Sequence, residues 1–361
     1  MNDTRHGLRM SARVVPGPSG VLVHELGAPR DVIEVSVPVR ICDLGGWTDT
    51  WFGGPGRVVN VAVRPGVAVV LAPSDGPDPV VLVVEGPDGR AAGVPGAAER
   101  ARHPLLAAAL DALAPPEDLR LQVTVRSAVP AGCGAGTSAA VAVAMLAGLA
   151  AVRSEHWVPE DLAYAAHRLE VDGLGGQSGI QDQLSAALGG INYLEIDHYP
   201  EATVQALPRW DDLGFRLTTV FVGRAHDSSS VHDEVIARLA GGGSGALDRL
   251  REAALAARDA VLRQDLHGLG QAMTANTDGQ RALHPDLVGA DARRVIDLAA
   301  RDGAIGWKVN GAGGEGGSLT VLHDTNGGRE TFERRVVALD HRYAVLPIAP
   351  SADGLVVRGG L

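Results

Sequence analysis

The sequence predicts a two-domain protein of mixed strand and helix, and three observations carry that prediction. The chain has 361 residues, more than a single core usually serves. Hydrophobic residues make up 45% of it and aromatic residues only 4%, so its cores must be built from Val, Leu, Ile and Ala. Near the middle the pattern runs strand, glycine-rich loop, helix: residues 121–125 alternate, residues 130–140 are rich in Gly and Ala, and residues 139–152 favour a helix. That order suits a phosphate. Glycines let backbone N–H groups turn toward an anion, and a helix N-terminus adds positive partial charge.

Taken in order, residues 1–29 are rich in Gly, Pro, Arg and Ser and read as a leader or peripheral segment. The first domain is read as 30–199. Alternation predicts strands at 32–37, 58–63, 66–71 and 80–84. Residues 103–113 read as a short helix closed by Pro115 and Pro116. After the central loop and its helix, residues 159–170 read as a second helix, with Pro159 in its first turn and Glu160 and Asp161 at its positive end. A second glycine run, 173–179, leads into a helix at 180–188, which Gly189 and Gly190 end, and then a strand at 191–196. Pro200, Pro208, Asp211 and Asp212 interrupt the periodicity, marking a boundary within 197–214. The second domain, 215–361, opens with a strand at 215–222. Helices are predicted at 232–240, 246–263, 266–276 and 285–302, the first two joined by the glycine linker 241–245. Strands at 305–309 and 318–323 flank a third glycine run, 311–317, and a helix at 331–339 and a strand at 343–348 close the pattern.

Charge and cysteine usage exclude several classes. The formal net charge is −11, and Lys308 is the sole lysine, with no Lys/Arg run to make a nucleic-acid patch. Cys42 and Cys133 lie in glycine-rich stretches rather than at metal-ligand spacing, which fits a reducing compartment. Neither a signal-peptide pattern nor a membrane-length apolar run is present, so a cytoplasmic location without a membrane partner is the expectation.

Two named phosphate loops do not fit the central stretch. The Walker form ends in Gly-Lys-Ser/Thr, and here Gly136 is followed by Thr137 and Ser138. The dinucleotide fingerprint needs a wider second glycine interval than Gly132, Gly134 and Gly136 provide. Thr137 and Ser138 stand where a helix begins, to cap it or to bind a phosphate-associated Mg²⁺. A tight turn with close packing would use the same residues, so the loop alone leaves both readings open.

Three glycine-rich segments in this order resemble the motifs of the GHMP kinases, over roughly residues 32–350. The resemblance implies an α+β, two-domain GHMP kinase fold: an N-terminal domain like domain 2 of ribosomal protein S5 and a ferredoxin-like C-terminal domain. The first motif runs from Val37 to Asp49, and its Gly-Gly-Trp-Thr-Asp form is closest to the fucokinase and heptose-7-phosphate kinase branch. It implies Arg40 as a basic residue beside the catalytic carboxylate, and Gly46, Thr48 and Asp49 on the acceptor side. The second motif implies Pro130, Gly132, Gly134, Ala135, Gly136, Thr137 and Ser138 as the ATP phosphate loop, with Ser138 and Glu170 as Mg²⁺ ligands. An acid at a helix C-terminus is slightly unfavourable, which favours a working role for Glu170. The segment from Gly176 to Gln183 implies Asp182 as the catalytic base and Gly179 beside the acceptor; Gln177 stands where many members have proline. A first-turn Asp on the helix at 180–188 is the plainer reading of Asp182. The third motif, from Lys308 to Gly317, implies substrate-side roles for Lys308 and Gly313, and Glu315 interrupts its glycines. Asp43 departs from the usual small or apolar residue and is read as a substrate contact or a turn residue. Arg224, His226 and Arg281 are read as receivers for a second phosphate on the acceptor.

The function expected is ATP- and Mg²⁺-dependent transfer of the γ-phosphoryl to a hydroxyl, the anomeric one, of a sugar or sugar phosphate such as a heptose 7-phosphate. A kinase of a non-sugar alcohol and a non-catalytic sugar or nucleotide sensor of the same fold stay open. A dinucleotide-dependent oxidoreductase is a weaker reading of the central loop. The expected partners are small molecules, and a homodimer is compatible with the reading.

Overall fold

The computed structural model describes residues 32–86, 89–224, 229–240 and 245–360. The leader, His226 and most of the 241–245 linker lie outside the described residues. The elements run β1 (Val32–Leu44), β2 (Gly56–Pro73), β3 (Val80–Gly86), β4 (Gly89–Gly93), α1 (Ala97–Arg102), α2 (Pro104–Ala112), β5 (Leu121–Ser127), α3 (Thr137–Val152), α4 (Pro159–Arg168), α5 (Gln181–Leu188), β6 (Ile191–His198) and β7 (Glu201–Ala206). They continue with β8 (Leu217–Phe221), α6 (Ser229–Ala240), α7 (Gly245–Arg263), α8 (Leu266–Leu283), α9 (Ala290–Arg301), β9 (Ala304–Val309), β10 (Ser318–His323), α10 (Asn326–Leu339), β11 (Ala344–Val345), β12 (Ala349–Pro350) and β13 (Val356–Gly360).

Two sheets organise the chain. The larger follows β13-β1-β2-β5-β3-β4, with β6 and β12 also on β2 and β7 on β6. The β3–β5 pair is parallel. The smaller is ordered β11-β8-β10-β9. The last strands return to the large sheet: β13 pairs with β1 and β12 with β2. Helix α3 packs across β1 and β2. Its apolar run from Ala139 to Ala150 is buried almost throughout, as a helix apolar on every face must be. Gly148 lets it approach closely, since a Cβ there would meet Leu71 Cδ1 at 2.4 Å. None of the described helices is long and apolar enough to cross a membrane.

Several elements differ from the sequence reading. The strands expected at 58–63 and 66–71 are one strand, β2, because β1 pairs with it on both sides of Pro65, through Val39–Val63 and Val37–Val67. The helix expected through Glu170 ends at Arg168 and continues as a π-turn, Leu169–Gly173. The helix expected over 285–302 is broken: a 3₁₀ turn, Pro285–Leu287, precedes α9, and Gly289 opens α9 in extended conformation. The strand expected at 343–348 is reduced to Ala344–Val345, and helix α10 starts earlier than expected, where Thr325 accepts a capping bond from Gly328 N–H.

Candidate active site

The three glycine runs converge on one cavity of about 640 Å³. Its first wall is the central loop. Gly132, Gly134 and Gly136 all have left-handed φ, at 66°, 75° and 69°, a conformation that glycine adopts without a Cβ penalty. Alternating left-handed residues turn successive N–H groups to one side, and helix α3 starts directly after them at Thr137. The first turn of α3 holds no acid, so its positive end is left for a ligand. Thr137 Oγ1 is buried with no hydrogen-bond partner among the described residues. A cradle of this kind, with an orphaned hydroxyl in it, fits phosphate oxygens.

The second wall joins Arg40 to Asp182. Arg40 Nε donates to Asp182 Oδ1 at 2.8 Å and Nη2 to Oδ2 at 3.0 Å, while Nη1 donates to the Gly134 carbonyl. The Arg40 backbone N–H also donates to the Ala135 carbonyl at 3.0 Å, which fastens β1 to the phosphate loop. Burial works against the Arg40 charge, but Asp182, Asp43 and Asp49 outweigh it and hold the guanidinium above its ordinary pKa. Asp182 is in the first turn of α5, as its plainer reading has it, and it also lines the cavity. A Cβ on Gly136 would lie 3.1 Å from its carboxylate, so the cradle and this carboxylate are adjacent.

Glu170 stands on the other side of the cradle. The π-turn carries it, a distortion common at working sites, and Gly176 N–H closes back on its carbonyl at 2.9 Å. Its carboxylate accepts from Ser138 Oγ at 2.5 Å, from Ser178 Oγ at 3.5 Å and from Gln183 Nε2. Burial raises its pKa, against the donors. Ser138 and Glu170 form an all-oxygen donor pair beside the phosphate cradle, and that chemistry fits Mg²⁺.

Asp49 closes the acceptor side. It is buried, at 3% exposure, and accepts from Gln181 N–H at 3.2 Å. Burial and the neighbouring Asp182 push its carboxyl up to about 7. Gly179 faces it so closely that a Cβ would meet Asp49 Oδ2 at 1.9 Å. Gly46 and Gly313 also line the cavity.

Five sequence candidates do not line it. Pro130 precedes the cradle. Thr48 is buried, its hydroxyl donating to the Gly45 carbonyl at 2.7 Å and accepting from Arg57 N–H at 3.0 Å, so it closes the turn that presents Asp49. Lys308 is fully buried, and its Nζ donates to Asp43 Oδ1 at 3.1 Å. Arg281 is exposed on α8 and pairs with Asp278 at 3.3 Å. Arg224 is exposed, and its charge helps hold the Asp291 carboxyl below its usual range, after the Tyr343 and Arg342 hydrogen bonds that overcome burial. Glu315 also turns away: Oε1 accepts from Ala290 N–H at 3.0 Å, at the positive start of α9.

Asp43, read from the sequence as a substrate contact or a turn residue, lines the cavity, and so do Trp47, His232 and Asp233, to which the sequence reading assigned no role. Asp43 is aimed into the cavity by a register shift between Ile41 and Leu44, where Cys42 takes a φ of 52°. Its two oxygens each accept from Gly311 N–H at 3.1 Å, fixing the third glycine run to β1. Trp47 packs against His232 with ring centroids 4.6 Å apart and ring planes tilted by 48°. His232 and Asp233 come from α6 and line the cavity with Trp47. Gln177 accepts from Trp51 Nε1 at 2.5 Å at the rim, a bond the proline expected there could not make. The charge and unusual placement of Asp43 were a readable signal; nothing local marks His232 or Asp233.

Residues 103–190 match the sequence model of the family described as GHMP kinases N terminal domain. The match is confined to those residues, about a quarter of the chain. The chain is 30% identical over 207 residues to a mevalonate kinase of Thermococcus sibiricus, covering 55% of this chain and 59% of that one. It is 25% identical over 195 residues to a D-glycero-alpha-D-manno-heptose 7-phosphate kinase of Campylobacter jejuni, covering 53% and 58%. The chain thus spans about three fifths of the length of these curated relatives. It shares its fold with a D-glycero-D-manno-heptose 1-phosphate kinase from Bacteroides thetaiotaomicron, which superposes with a TM-score of 0.67 at 18% identity, covering 90% of this chain and 98% of the other. The α+β fold expected from the three glycine motifs is the fold shared with this solved structure, and the cradle before α3 lies inside the matched residues 103–190.

Proposed function

We propose that the chain is an ATP-dependent kinase that phosphorylates a hydroxyl of a sugar-type acceptor. The observation that carries the reading is the position of Asp182, adjacent to the phosphate cradle at Gly136 and held by two bonds from Arg40. The cradle glycines and the α3 N-terminus hold the phosphates of ATP. Asp182 orients the acceptor hydroxyl and takes its proton as the acceptor oxygen bonds to the γ-phosphorus and the bond to the leaving diphosphate oxygen breaks. Arg40 stabilises charge on the transferring group. Ser138 and Glu170 would hold Mg²⁺, which supplies charge neutralisation at the phosphates. Asp49 accepts acceptor hydroxyls across the cavity.

The similarity to a heptose 7-phosphate kinase supports the sugar class. The 30% identity to a mevalonate kinase favours a second reading, in which the acceptor is a hydroxy acid. The test is phosphoryl transfer from ATP with Mg²⁺ to a panel of aldoses, aldose phosphates and mevalonate. Asp182→Asn is expected to lower kcat by about 10²–10⁴-fold with nucleotide affinity changed only a few-fold. Chelating divalent cations is expected to abolish turnover. A variant that keeps wild-type kcat removes Asp182 from the mechanism. Wild-type protein that binds sugar and ATP without transfer replaces the kinase with a sensor.

A further inference from the structure

We propose that the acceptor carries no negative charge: the cavity is built for an unphosphorylated, polyhydroxylated sugar, not for a sugar phosphate or a hydroxy acid. The inference rests on the kinase reading and narrows its substrate. The charged groups around the cavity carry it.

Five carboxylates line the walls: Asp43, Asp49, Glu170, Asp182 and Asp233. Arg40 is the arginine among the described lining residues, and three of its nitrogens already donate, to Asp182 and to the Gly134 carbonyl. Two of the carboxylates are matched inside the protein, Asp182 by Arg40 and Asp43 by the buried Lys308. Glu170 is matched when a divalent cation is bound. Asp49 and Asp233 are left facing the cavity with no ion-pair partner among the described residues. A phosphorylated acceptor would bring two further negative charges toward them, and like charges in a partly closed site repel strongly. Asp49 asks for the opposite kind of ligand. Its carboxyl, ionised above a pH of about 7, then has about four acceptor positions, and one backbone N–H from Gln181 occupies one of them. Vicinal hydroxyls of a sugar supply the missing donors.

The arginines expected to receive a second phosphate do not line the cavity, although the Arg224 carbonyl accepts from N–H of the lining residue Gly317 at 2.9 Å. Arg281 is tied to Asp278, and Arg224 is exposed beside Asp291; neither lines the cavity. The rejection of phosphorylated acceptors is therefore electrostatic, a specificity exerted against a competitor that shares the sugar framework.

The experiment uses the full chain with ATP and Mg²⁺. It compares kcat/KM for free hexoses and heptoses, for the same sugars phosphorylated at the terminal carbon, and for mevalonate. The expected result is a kcat/KM for the best free sugar at least about 30-fold above that for its terminal phosphate and for mevalonate. Asp233→Lys is expected to narrow the sugar-to-sugar-phosphate ratio about tenfold, mainly through KM for the phosphate. A terminal phosphate or mevalonate used as well as, or better than, the free sugar overturns the inference while leaving the kinase reading intact. Absence of transfer to every acceptor sinks the kinase reading instead. In that case calorimetric binding of the same compounds, with a non-hydrolysable ATP analogue present, still decides the charge preference: tighter binding of the phosphates overturns it, and tighter binding of the free sugars upholds it.

Discussion

Asp49 shows how much one residue's surroundings decide. A carboxyl that titrates near 4 in the unfolded chain is pushed up to about 7 by burial and by Asp182. Between those two values the folded protein holds a proton that the unfolded chain has released, so folding stability falls as the pH rises from about 4 to 7. Replacing Asp49 with Asn removes that dependence. Asp49→Asn is expected to gain on the wild type by on the order of 2 kcal/mol between pH 5 and pH 8, measured as the difference in chemical denaturation midpoints. A constant difference across that range would contradict the raised carboxyl. The same variant is expected to lose acceptor affinity, because an amide offers one acceptor oxygen in place of two.

At the scale of elements, the phosphate cradle depends on loops that meet backbone to backbone. Gly134 has a φ of 75°, and a Cβ there would come 2.8 Å from the Asn310 carbonyl oxygen. A Cβ on Gly311 would in turn come 2.9 Å from the Gly134 carbonyl oxygen. Gly134→Ala therefore incurs a left-handed penalty of about 1–2 kcal/mol and also pushes the third glycine run off the first. The expected outcome is a loss of nucleotide affinity of about tenfold or more, read by titration, with the helix content of α3 kept. Unchanged nucleotide binding would mean that this contact does not shape the cradle.

Across the whole molecule, one buried ion pair joins the two sheets. Lys308 of β9 and Asp43 of β1 are 0% and 2% exposed at their side chains and 3.1 Å apart. Cys42 N–H reinforces the joint by donating to Asn310 Oδ1 at 3.1 Å. Burial pulls the Lys308 ammonium below its ordinary range, and Asp43 opposes that pull. Removing one partner strands a charge in the interior. Asp43→Ala is expected to cost about 3–5 kcal/mol; adding Lys308→Met should recover most of the stability. The recovered double variant is still expected to have a raised nucleotide KM, because Gly311 N–H has lost its acceptor. A double variant as unstable as the single one would show that the pair is not coupled.

The sequence by itself determined the three glycine motifs, the cradle glycines, Arg40, Ser138, Glu170, Asp49 and Asp182 as candidates, and the α+β fold. The glycine runs and Glu170 were legible because their signals are local, whereas Arg40, Asp49, Asp182 and the fold class came with the resemblance of the three motifs to a known family. Glycine spacing, a strand running into a helix, and an acid at the wrong end of a helix can each be read within a dozen residues. The tertiary structure alone decided which charged side chains share the cavity. It withdrew Lys308 into an ion pair with Asp43 and left Arg224 and Arg281 on the exterior. It also brought His232 and Asp233 to the walls from α6. A cation's role depends on which carboxylate lies within a few ångströms of it, and Lys308 and Asp43 are 265 positions apart in sequence. Only the packing of the small sheet against the large one sets that distance, and with it the charge that an acceptor meets.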